Sequence, residues 1–159
     1  MPGGNRRAAG SQAGFTFIEL MVTVAIMLIL ASVALPLAQV TIQRQKETEL
    51  RRDLREMRDA IDRYKDLADA NQIQVKADTY GYPPTLDTLV EGVHLMSKPD
   101  VRLRFLRQIP VDPMTGHKDW GLRCAQDDPD SKSWCGDNVF DVYSQSTGTA
   151  MDGTNYADW

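Results

Sequence analysis

From Phe15 to Ala38 the chain is apolar at nearly every position, and Glu19 is the sole ionisable side chain among those 24 residues. A helix rises about 1.5 Å per residue, so the run is about 36 Å long, enough to cross a bilayer core of about 30 Å. Within it Pro36 removes a backbone donor, which predicts a kink or local loosening. The pattern then changes. Leu50, Leu54, Met57, Ile61, Tyr64 and Leu67 recur at steps of four and three, the stripe of an amphipathic helix reaching from Ala38 to about Asn71. The opposite face is dense in mixed charge. Glu47 with Arg51 is a favourable four-residue pair, whereas Glu49 with Asp53 and Arg51 with Arg55 are like-charged, and each pair counts for about 0.2–0.5 kcal/mol. This face is expected to be solvated, with a partner-helix surface as the alternative.

One helix from Phe15 to Asn71 would be about 57 residues, or about 85 Å. Globular helices usually run about 8–20 residues, so the outer half of this one needs a packing partner. Residues 72–159 must supply it. There, Gly81-Tyr82-Pro83-Pro84 opens a turn, and Thr85 caps a short helix through Val90 that stops at Gly92. Asn138 to Ser144, rich in β-branched and aromatic residues, is expected as a strand.

Charge and the apolar run together set the topology. Met1 to Gly14 holds Arg6 and Arg7 and no acid, so that end is expected in the cytoplasm and the rest in the periplasm or exterior. The formal charge is −4, and loss of the two leader arginines would make it −6. With 159 residues the chain has room for one compact domain beside the apolar segment. A mildly acidic chain without a basic patch is a poor nucleic-acid binder. An acid inside an apolar span is expensive and marks a functional position. Two plainer readings compete: a secretory signal cut after Ser32-Val33-Ala34, and a simple membrane anchor. The first leaves Glu19 as an intrusion; the second explains neither Gly14 nor Glu19.

The stretch Gly14-Phe15-Thr16-Phe17-Ile18-Glu19-Leu20, after a short basic leader and before an apolar span, resembles the start of the type IV pilin and pseudopilin superfamily. The resemblance implies a prepilin peptidase that cuts between Gly14 and Phe15 and N-methylates Phe15. An α-amino group has an ordinary pKa of about 7.7–8.0, so Phe15 would then carry a cation. Two unit charges at about 4 Å attract by about 4 kcal/mol at an effective dielectric of 20. Glu19 could thus pair with the amine of a neighbouring subunit and set the register between identical helices. In that family a proline at the place of Pro36 is associated with local melting in the filament.

Further along, Tyr82-Pro83-Pro84-Thr85-Leu86, with Leu89-Val90 after it, resembles the segment following the long helix of G-type major pseudopilins of type II secretion. Ile109-Pro110-Val111-Asp112-Pro113-Met114-Thr115-Gly116 adds to the likeness, since those proteins have a Pro-x-Asp-Pro turn followed by a strand, here Trp120-Gly121-Leu122. The implied fold is α+β and pilin-like: a long amino-terminal helix packed on a small antiparallel sheet. Its segments are a leader at 1–14, a membrane and filament-core helix at 15–38, an amphipathic continuation at 39–71 and a globular head at 72–159. The implied function is a structural subunit of the bacterial inner membrane. It would polymerise with copies of itself and other pseudopilins into a periplasmic filament, served by an ATPase and a membrane platform. A type IV pilus pilin, forming an extracellular filament, and an anchored periplasmic module that never polymerises are the alternatives.

The resemblance extends to the tail, Ser144 to Trp159, where G-type proteins carry a calcium-binding loop. Calcium takes roughly six to eight oxygens. Ser144, Asp152, Asn155 and Asp158 are the implied donors, with Gly148 and Gly153 permitting tight turns. The family loop is richer in carboxylates, and an ordered loop with Tyr156 and Trp159 on the sheet is the alternative. Cys124 and Cys135, eleven positions apart in an exported chain, are expected to form a disulfide, a pairing on which the G-type family does not generally rely. A metal site with His117 is the rival. No Gly-x-Ser-x-Gly elbow, phosphate loop or His-Glu-x-x-His is present. His94 and His117, the acidic group Asp127, Asp128 and Asp130, and the basic group Arg102, Arg104 and Arg107 are expected at the surface.

Overall fold

The computed structural model describes residues 14–159, leaving the side chains of 33–38 outside the description. Residues 1–13 of the leader, Arg6 and Arg7 included, and the side chain of Pro36 therefore lie outside the described residues. The fold is α+β, with two compact units, Met1–Thr41 and Ile42–Trp159.

In the first unit, helix α1 (Phe17–Asp69) begins, and its assignment is unbroken across position 36. Its described apolar side chains face outward: Phe17 is 80% exposed and Met27 72%. Two polar interruptions are satisfied locally. The hydroxyls of Thr23 and Ser32 donate to the carbonyls of Leu20 and Ile29 at 2.9 and 2.7 Å, so neither needs water. Among the described residues no helix is long and apolar enough to cross a membrane. The span expected over 15–38 includes the six positions whose side chains are not described.

In the second unit α1 buries Leu50, Leu54, Met57, Ile61 and Tyr64, as its period requires, together with Ala60 and Ala68. It ends two residues before the expected Asn71. Asn71 has φ of 53°, its N–H bonds Ala68 and that of Gln72 bonds Leu67, the Schellman arrangement that closes a helix. Against the stripe pack Ile73, Leu86, Leu89, Phe105, Leu106, Trp120, Val139 and Val142. Helix α2 (Leu86–Glu91) is capped by Thr85, whose hydroxyl accepts from the Thr88 N–H, and ends at Gly92 with φ of 83°.

The expected single sheet is two separate antiparallel pairs. Strands β1 (Val93–Leu95) and β2 (Lys98–Leu103) pair with Val93 opposite Leu103. Strands β3 (Trp120–Arg123) and β4 (Asp141–Ser144) pair with Trp120 opposite Ser144. The strand expected from Asn138 starts at Asp141 because Asn138 is held elsewhere. Its buried side chain accepts from the Ala125 N–H at 3.0 Å and donates to Gln126 at 3.0 Å. That bracing closes the loop in which Cys124 and Cys135 are disulfide-bonded. His94 and His117 are exposed, as are Arg102, Arg104 and Arg107.

Candidate functional site

Gly14, Phe15 and Thr16 precede α1 without regular structure, and all three are exposed. Thr16 is the helix cap: its hydroxyl accepts from the Glu19 N–H at 3.3 Å. The Thr-x-x-Glu spacing sets the acid in the first turn, where an anion facing the helix's positive end stabilises by about 0.3–1 kcal/mol. The Glu19 side chain is exposed, and no ion pair among the described residues includes it. The Gly14–Phe15 bond and Glu19 are thus presented together at the entry to an outward-facing apolar helix.

A second site lies within the Ile42–Trp159 unit, where the tail folds back on α1. Upstream of Leu50 the stripe continues with polar residues: Gln43 and Glu47 stand at its period of four and three. The Glu47 carboxylate accepts from the Tyr156 hydroxyl and from the Met151 N–H, both at 3.0 Å. Gln43 donates to the Tyr156 hydroxyl and to Glu47, each at 3.2 Å. One turn on, Arg51 donates to Asp152 at 3.3 Å and stacks over the Trp159 ring, its guanidinium carbon 3.8 Å from the centroid. Arg58 then donates to the Trp159 backbone oxygen at 2.6 Å, to Val142 at 3.1 Å and to Asp141 at 2.7 Å. Tyr156 and Trp159 meet edge to face at 5.2 Å.

Most of the charged face is exposed as expected, Arg44, Glu49, Arg51, Arg52 and Arg55 included, while Glu47 and Arg58 are half-buried beneath the tail. Glu47 and Arg51 do not pair with each other; each turns to the tail. Glu47 continues the apolar period with a polar residue, a hint that it faces the core, but nothing in the sequence named its partner.

The donors implied for calcium go three ways. Ser144 is fully buried and donates to Asp112 at 2.6 Å. Asp152 accepts from the Thr154 hydroxyl at 2.6 Å and its N–H at 3.0 Å, and from Arg51. The Thr154 contacts first, then the Arg51 charge, hold the Asp152 carboxyl below its ordinary range. Asn155 donates to Asp158 at 3.0 Å. Calcium needs convergent oxygens at about 2.3–2.6 Å, and a carboxylate already facing a guanidinium is a poor start. The residues present do not fit a calcium centre. The glycines keep structural roles: Gly153 has φ of 88°, and a Cβ on Gly148 would stand 3.1 Å from the Tyr156 ring.

Asp112, in the Pro-x-Asp-Pro turn, organises the approach to the tail. It is fully buried; one oxygen accepts from the Met114 N–H at 2.7 Å and the other from Ser144. Ser144 in turn accepts from the Ser146 N–H at 3.1 Å. The turn, the end of β4 and the start of the tail thereby share one carboxylate.

Comparison with known proteins adds one finding. Residues 10–35 match the prokaryotic N-terminal methylation motif, which contains Gly14, Phe15 and Glu19. No curated protein and no solved structure matches the chain significantly. The motif implies processing by a prepilin peptidase, association with the membrane or export, and assembly with further copies of the chain. It is the signal of type IV pilins and pseudopilins, and it supports placing this chain, as a structural protein, in the pilin-like superfamily.

Proposed function

We propose that this chain is a pseudopilin of a type II secretion system, a structural subunit that polymerises into a periplasmic filament driving protein export. The observation that carries the reading is the methylation motif at 10–35, with an exposed Glu19 in the first turn of an outward-facing apolar helix. The peptidase cuts between Gly14 and Phe15 and methylates the new amine. The mature subunit waits in the inner membrane with its amino terminus cytoplasmic and residues 72–159 periplasmic. On assembly the Glu19 carboxylate of one subunit meets the Phe15 amine of the next, which offsets the cost of an acid in an apolar setting. Pro36 marks where the helix backbone loosens in the filament. An ATPase and a membrane platform drive extraction, and other pseudopilins join the filament.

Intact mass and amino-terminal sequence of the membrane-purified protein test the processing: a methylated Phe15 at the start is expected. A chain starting at Leu35 or at Met1 overturns it. Glu19→Ala is expected to abolish filaments, and unaltered assembly would defeat the proposed pairing. Loss of exoprotein export on deleting the gene, with surface filaments intact, separates a pseudopilin from a pilus pilin.

A further inference from the structure

We propose that the tail of this protein is locked by side chains of α1 in place of a bound cation, so that the Ile42–Trp159 unit holds its fold without calcium. A cation orders a loop in two ways: it neutralises the loop's carboxylates, and it gathers oxygens from separated positions around one point. Both tasks are met here by fixed groups. Arg51 neutralises Asp152 and covers the Trp159 ring. Glu47 gathers separated positions, but of the opposite polarity: the tail presents it with donors, the Met151 N–H and the Tyr156 hydroxyl. A loop that points N–H and O–H groups inward is built around an anion, and a cation there would face the wrong ends of those dipoles.

Inside the tail the remaining polar groups close on each other. Thr154 accepts from the Trp159 indole N–H at 2.7 Å while donating to Asp152, and its carbonyl accepts from the Ala150 N–H at 2.7 Å. Asn155 and Asp158 form their own pair. Each residue of the implied set makes at least one hydrogen bond within the protein. The lock is independent of the export reading, because none of its residues belongs to the methylation motif.

The test uses the full chain in detergent, in 10 mM calcium and in EGTA, with thermal unfolding and hydrogen exchange of residues 149–159 as readouts. That calcium concentration is about a hundredfold above a Kd of 0.1 mM, at the tight end for extracellular sites. A bound ion would then raise Tm by on the order of 10 °C. The expected result is the same Tm and the same tail exchange in both buffers. Arg51→Gln and Glu47→Gln are each expected to speed tail exchange by on the order of tenfold, with no recovery in calcium. A saturable rise in Tm with calcium, or calcium-dependent slowing of tail exchange, overturns the proposal. So does unchanged tail exchange in both variants. Should a variant fail to fold, the comparison of buffers on the native chain decides alone.

Discussion

The Tyr156 hydroxyl and the Glu47 carboxylate meet at 3.0 Å across 109 positions of sequence. Tyr156 is 4% exposed, and burial pushes its phenol above the ordinary tyrosine value. A buried phenol with a charged acceptor is a directional joint, whereas apolar packing alone would leave the tail free to slide. The same carboxylate oxygen holds the Met151 N–H, so one helix residue fixes the tail at two points.

Tyr156→Phe keeps the ring and its edge-to-face contact with Trp159 but deletes the joint. A loss of about 1 kcal/mol in unfolding free energy is expected, since a net hydrogen bond is worth about 0.5–1.5 kcal/mol and one to a charged group more. In a double-mutant cycle with Glu47→Gln the two losses should be strongly non-additive. Additive losses would mean that the two groups act independently.

Asp112 answers to a harsher rule. Asp112→Ala would leave the half-buried Met114 N–H without its acceptor and the buried Ser144 hydroxyl without its partner. Each orphaned buried group costs about 1–3 kcal/mol, so a total loss of about 3 kcal/mol is expected. Urea unfolding should show a lower midpoint with unchanged slope. Asp112→Asn retains one acceptor oxygen and should recover part of the loss.

Gly121 sits in β3 opposite Tyr143, and a Cβ built there would lie 2.2 Å from the Tyr143 ring. Tyr143 cannot swing away cheaply, because Arg123 covers its ring at 4.4 Å and only 6% of it is exposed. Overpacking of this kind costs about 1–3 kcal/mol. Gly121→Ala is expected to lower Tm accordingly, and adding Tyr143→Leu should restore part of the loss. A Gly121→Ala variant as stable as the parent would show that the ring has room to move.

What was legible in the sequence followed from periodicity and local chemistry. The Leu50-to-Tyr64 stripe, the Thr85 cap with its Gly92 stop and the 124–135 disulfide rest on such signals, whereas the strand at Trp120 was expected from the resemblance to G-type pseudopilins. The β1–β2 hairpin gave none. Lys98 to Leu103 is exposed at all but its last position and carries Pro99, so no alternating pattern marks it. The tail dock was hidden for a different reason. Glu47 and Arg51 stand four apart, a spacing that suggests a local pair, and only the fold supplies Tyr156 and Asp152 as better partners. The methylation motif was legible from residue types alone, although the Thr16 cap gives Glu19 a helix-starting role beside the one proposed in assembly.

Asp53 and Asp152 should respond to acid with opposite signs. Asp53 is 4% exposed, and burial raises its carboxyl pKa above the ordinary 3.8, more than the Arg52 guanidinium at 3.5 Å lowers it. Glu49 and Glu56 push the same way as burial. The folded state therefore binds this proton more tightly than the unfolded chain does, and stability falls as pH rises from 3.8 through the raised value. Asp53→Asn removes that falling limb, so variant and parent should differ more at pH 7 than at pH 3.5, in favour of the variant. For Asp152, whose pKa is lowered, the contribution is present above 3.8 and is lost as pH falls through the lowered value. Asp152→Asn should therefore weaken the protein at neutral pH and converge with the parent in acid. Because that side chain is exposed, added salt should shrink its effect. Chemical unfolding of the full chain from pH 3 to 8 reads both limbs, and a pH-independent difference for Asp53→Asn would show that its carboxyl is not penalised by burial.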